Sequence, residues 1–125
     1  MPIIRAAEGT EHDVHGATFT AYANGGTGST ELCAWNLHLP AGQPGLEHRI
    51  SKEEVFLVKS GSPRITVDGA AADLAAGDVV VAPAGSLLKV ENPGQQEPAN
   101  IWVTTSVGLS ATLPDGSQMT PPWAQ

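Results

Sequence analysis

The sequence predicts an all-β fold of the sandwich or barrel type, and three observations carry that prediction. Apolar runs are short and recur every eight to twelve residues. Turn signals separate them, drawn from 14 glycines and 10 prolines. No segment of about twelve residues carries a clean helical apolar period. At 125 residues the chain (1–125) is expected to form one domain, long enough to bury a real core.

Composition narrows the function. A net charge of -7 with only six Lys and Arg argues against nucleic acid, whose phosphates need clustered cations, and gives no basis for binding an anionic membrane. The single cysteine, Cys33, excludes an internal disulfide and fits a reducing compartment. In Leu-Cys-Ala-Trp it reads as a buried small hydrophobe rather than a nucleophile. The N-terminus lacks a cationic start followed by a long apolar run, so the expectation is a cytoplasmic protein.

In chain order, Ile3-Ile4 is read as a short edge strand, and His12 and His15 as part of a solvated turn. Strands are expected at 14–23 and 31–39; in the second, Trp35, Leu37 and Leu39 share one face and Asn36 and His38 the other. Asn24 to Thr30 reads as a turn, since it lacks the Lys and the strand-to-helix context of a phosphate loop. Asp68-Gly69 marks a hairpin between strands at 63–67 and 70–74. Further strands follow at 79–82, 86–91 and 99–106. Residues 112–125 read as a tail that Trp123 pins down.

Two spaced motifs stand out. The first, 42–61, places Gly42, His48, Glu54 and Gly61; the second, 77–92, places Gly77, Pro83, Gly85 and Asn92. Gly61, Gly77 and Gly85 fall at tight strand reversals that favour positive φ. In register and order these residues resemble the two motifs of the cupins, small β-barrels of the double-stranded β-helix or jelly-roll type. The resemblance implies that fold. It also implies a site inside the barrel, where metal-binding cupins hold one divalent ion with three His and one Glu.

Carried over residue by residue, that ligand set keeps only His48 and Glu54, because Ile50 and Leu88 occupy the other two His positions. A firmly held transition metal needs about three protein ligands. The expectation is therefore a degenerate metal site with no resident cofactor, or with a weakly bound divalent transition metal. His38 is the substitute ligand if it faces inward, giving His38, His48 and Glu54.

Ile50 and Leu88 would turn one side of the cavity apolar. Phe56 and Val58 follow Glu54 at period two, and Trp102 or Thr104 completes the wall. An apolar pocket with a few converging polar groups is the usual form of a small-molecule site, so the expected partner is a small organic molecule. Burial raises the pKa of Glu54 and lowers that of His48 unless the two pair. If paired, Glu54 would orient His48 as a general acid or base for metal-free isomerisation, epimerisation, cyclisation or elimination. The resemblance implies such chemistry too, since metal-free cupins use a His with a carboxylate. Two alternatives stay open: a non-catalytic barrel that binds or senses a small molecule, and a metal-dependent, dioxygenase-like enzyme. The resemblance also implies a homodimer that covers exposed apolar edges, with Ile3-Ile4 contributing.

Overall fold

The computed structural model describes residues 1–125. Twelve strands run in chain order: β1 (Thr10–Val14), β2 (Ala17–Ala23), β3 (Leu32–Leu39), β4 (His48–Ile50), β5 (Glu54–Ser60) and β6 (Arg64–Val67), then β7 (Ala70–Asp73), β8 (Val79–Ala82), β9 (Leu87–Glu91), β10 (Ala99–Ser106), β11 (Ala111–Thr112) and β12 (Gln118–Met119). Single 3-10 turns occur at Ala6–Glu8, Gly25–Thr27 and Pro122–Ala124. No helix is long and apolar enough to cross a membrane.

The strands form two six-stranded sheets, ordered β1-β2-β3-β10-β5-β8 and β12-β11-β4-β9-β6-β7. Every pairing is antiparallel. Neighbours far apart in sequence, such as β3 and β10, lie side by side because each sheet draws strands from both halves of the chain. This is the predicted jelly-roll arrangement.

Alternation decides what each sheet buries. On β3, Cys33, Trp35, Leu37 and Leu39 are buried, and on β10 Ala99, Ile101, Val103 and Thr105 are. These inward rows and those of the second sheet pack as one cluster of 17 buried residues.

Two features fasten the motifs. Gly61 adopts φ +81°, and a Cβ there would lie 2.5 Å from the Pro98 carbonyl oxygen and 2.7 Å from Ala99 Cα. Gly77 and Gly85 are left-handed too, at φ +93° and +83°, as the turn reading required. Asn92 is 2% exposed, and its amide nitrogen donates toward the carbonyls of Leu39 (3.2 Å), Pro40 (3.2 Å) and Glu97 (2.8 Å). The end of the second motif is thereby tied to the loop that opens the first.

Three expectations need correction. Ile3-Ile4 forms no strand; the edge strand is β1, whose hairpin with β2 turns at His15 (φ +52°) and Gly16 (φ +86°). His12 accordingly lies in a strand, opposite Phe19. Residues 112–125, expected as a tail pinned by Trp123, are pinned there but also contribute strand. β11 pairs with β4, β12 folds back on β11, and Trp123 stacks on Phe19 at 4.0 Å between ring centroids. An apolar ring finds more to bury against the barrel mouth than in solvent.

Removing the Asn92 amide leaves its carbonyl partners without a donor. Asn92→Ala is expected to cost about 2–3 kcal/mol, read as a lower urea midpoint at unchanged slope. A midpoint equal to wild type would show that these contacts do not hold the motifs together.

Candidate functional site

The two sheets and the C-terminal hairpin enclose a cavity of about 340 Å³. That lies within the range of small-molecule sites. The first sheet contributes Phe19, Trp35, Leu37, Glu54 and Phe56. The second contributes His48, Leu88 and Val90. Leu113, Met119 and Trp123 close it from the C-terminal segment, a wall that sequence reasoning left open.

His48 heads β4 directly opposite Leu88 of β9. The family's first and third His positions are therefore neighbours, with an imidazole at one and an isobutyl group at the other. His48 Nδ1 lies 2.8 Å from the Leu46 carbonyl oxygen. A carbonyl only accepts, so Nδ1 carries the proton of this bond. In the neutral ring that leaves Nε2 with its lone pair.

Glu54 opens β5 in the other sheet and is 4% exposed. Glu53, one residue earlier, is exposed, as strand alternation requires. No hydrogen bond or ion pair reaches the Glu54 carboxyl; Thr105, its cross-strand neighbour, donates instead to the Glu53 carbonyl oxygen at 2.6 Å. Burial without compensation pushes its pKa up to about 8. Burial thus favours the neutral form of the carboxyl.

The expected His48–Glu54 pair does not form. Six positions separate the residues in sequence, and the chain crosses from one sheet to the other between Ile50 and Glu54, so they reach the cavity from different sheets with no hydrogen bond between them.

His38 does not restore a ligand set. It lies on the outer face of β3, with Nδ1 3.0 Å from Asn100 Oδ1. No three His, Cys, Asp or Glu side chains come together anywhere in the chain. The residues present do not fit the divalent ion that the fold family implies.

Of the expected pocket residues, Phe56 and Leu88 line the cavity, while Ile50 and Val58, each 1% exposed, pack in the core beyond its wall. Trp102 is outside. It faces Tyr22, with ring centroids 5.7 Å apart, and the Lys59 ammonium lies 5.9 Å from its ring. Val103 takes the inward place, paired with Trp35 on one side and Phe56 on the other. Cys33 is fully buried, and burial raises its thiol pKa, as suits a packing residue.

One polar group went unnoticed in the sequence. Trp35 was legible as sharing a face with Leu37 and Leu39, but its indole Nε1, sealed from solvent, has no hydrogen-bond partner. It belongs to a residue that lines the cavity.

A double-sheeted antiparallel barrel around a largely apolar cavity is the class of protein that this geometry defines. A family model for the cupin domain matches residues 35–105, and the chain belongs to that family. Solved structures agree on the fold. An RmlC-like cupin from Shewanella frigidimarina is 21% identical, with 82% of this chain and 86% of that chain covered and a TM-score of 0.71. The polyketide cyclase RemF from Streptomyces resistomycificus is 13% identical, with 85% and 79% covered and a TM-score of 0.75. A salicylate 1,2-dioxygenase from Pseudaminobacter salicylatoxidans is 22% identical at a TM-score of 0.63; 72% of this chain matches only 26% of that one. No curated protein matches by sequence.

The buried carboxyl makes stability depend on pH. In the unfolded chain Glu54 ionises near 4.5, whereas in the fold it does so near 8. Between those values the folded state holds the extra proton, so stability falls as pH rises from about 4.5 to about 8. The contribution is on the order of a few kcal/mol. Glu54→Gln, neutral at every pH, is expected to melt above wild type near pH 8 by several degrees. The gap should close as the pH is lowered toward about 4.5. Parallel melting curves for the two proteins would contradict the assignment.

Proposed function

We propose that this chain is a small-molecule-binding cupin whose cavity carries out metal-free proton transfer on its ligand, with His48 as general base and Glu54 as general acid. The observation that carries this reading is the buried Glu54 carboxyl, held without a partner in a largely apolar cavity that His48 also lines from the other sheet, where burial favours its neutral form. Two titratable groups in such different surroundings divide naturally into acid and base.

For a carbonyl ligand the step balances without any other reagent. His48 Nε2 takes a proton from the carbon beside the carbonyl. The C–H electron pair shifts toward the oxygen, which accepts a hydrogen bond from the Glu54 O–H. The proton then returns from His48 to the same or a different carbon, giving exchange, epimerisation or isomerisation; an enol held this way can also close a ring onto a second carbonyl. The apolar walls exclude water and strengthen each of these interactions. A single orienting pair, as the sequence suggested, is replaced here by two groups acting on opposite sides of the ligand.

A second reading keeps the cavity as a binding or sensing site without turnover. It is favoured by the absence of any group that orients the Glu54 carboxyl.

Proton exchange separates the two. In deuterium oxide, the protein should accelerate hydrogen–deuterium exchange beside the carbonyl of a bound ketone, followed by NMR. His48→Ala should slow that exchange by at least about a hundredfold, with ligand affinity held within about threefold. Exchange no faster than in buffer for every ketone that binds would leave binding as the function and remove the catalytic proposal.

A further inference from the structure

The four sheet edges are not alike. β1 carries Glu11 and Asp13, β12 has only two residues, and β7 is three alanines ending in Asp73. Charge and shortness keep an exposed strand from pairing with another chain. β8, Val79-Val-Val-Ala82, ends the first sheet beyond β5 with no charge and no proline within it. Val79 is 57% exposed and Val81 54%. Their cross-strand neighbours continue the apolar face, Leu57 opposite Val79 and Val55 opposite Val81. A bare edge flanked by exposed apolar side chains is an invitation to pair.

The backbone specifies the pairing. Val58 N–H donates to the Asp78 carbonyl oxygen at 3.0 Å, so that carbonyl points toward β5. Main-chain groups alternate along a strand. Val80 therefore also faces β5, opposite Phe56, and the N–H and C=O groups of Val79 and Val81 face the open edge. A second β8 laid antiparallel about a twofold axis at Val80 meets these groups in one register. Val79 of each copy lies opposite Val81 of the other, and each such pair exchanges two hydrogen bonds. Outward side chains meet outward ones. A slip by one residue would set exposed Val79 against fully buried Ala82 and invert the face.

Charge agrees with that register. The chain carries a net charge of -7, so copies repel except where acidic groups are kept apart. Asp78, the acidic residue that precedes β8, falls opposite Ala82 of the other copy and not opposite a second Asp78. Self-pairing thus satisfies the free backbone groups of this edge and both exposed valines at once.

We propose that β8 is a self-association edge, through which two copies of this chain join their first sheets into one continuous sheet about a twofold axis at Val80. The contact is independent of the cavity. Nor does it use Ile3-Ile4, which form no strand.

Light scattering on a size-exclusion eluate tests it, at about 100 μM protein. The mass of two chains is expected. Val81→Pro removes an edge-facing N–H at a position where a lone edge strand tolerates proline. Each copy loses one donor, so the dimer dissociation constant should rise at least about a hundredfold. Should Val81→Pro fail to fold, Val79→Lys combined with Val81→Lys sets like charges across the axis and gives the same readout. Ile3→Asp should leave the dimer intact. Hydrogen exchange reads the contact directly: the Val79 and Val81 amides should be protected in the wild type and exchange freely in the double-lysine variant. A wild-type mass other than that of two chains would overturn the proposal. So would a dimer that survives the β8 variants, one that Ile3→Asp abolishes, or unprotected Val79 and Val81 amides in the wild type.

Discussion

The site depends on a carboxyl group buried in an apolar barrel without a counter-charge. A carboxylate in that position would be strongly disfavoured, so the group keeps its proton and becomes a donor. Everything else about the cavity follows in the same sense. Leu88 stands beside His48 where a second imidazole would complete a metal site, and Ile50 is withdrawn into the core. With those positions apolar, no three metal-ligating side chains gather around Glu54.

The scaffold makes that arrangement rigid. The left-handed glycine at Gly61, packed against Pro98 and Ala99, ends β5 where the chain must leave the sheet. Asn92 joins the loop after β3 to the end of β9. Between these fastenings, β4 and β5 are delivered to opposite sheets by only three intervening residues, Ser51 to Glu53. His48 and Glu54 are consequently near in sequence yet reach the same cavity from different sheets.

Much of this was legible in the chain and some was not, for identifiable reasons. Period-two alternation placed Trp35, Leu37 and Leu39 on one face and separated Glu53 from Glu54, because burial on one sheet face enforces that parity. The same rule carried a usable signal on β10: Asn100 and Thr104 share a face with Trp102, and their polarity marks it as the outer one. The size and hydrophobicity of Trp102 pointed the other way. Whether His48 and Glu54 pair was left conditional, because nearness in sequence does not say whether two side chains meet when the chain changes sheets between them. Closure of the mouth by Trp123 involves contacts with Phe19, more than a hundred residues earlier, and no local pattern encodes them. Whether Trp35 Nε1 finds a partner depends on packing around the ring, which a sequence does not display.

The central claim is that Glu54 is protonated inside the cavity at neutral pH. The most direct measurement is an NMR titration of the side-chain carboxyl carbons in protein labelled with ¹³C-glutamate, with Glu54 assigned by its loss in Glu54→Gln. The account predicts that this resonance titrates near 8 while exposed glutamates titrate near 4.5. A Glu54 resonance that titrates with the others would mean a charged carboxylate in the cavity, and would contradict its role as an acid.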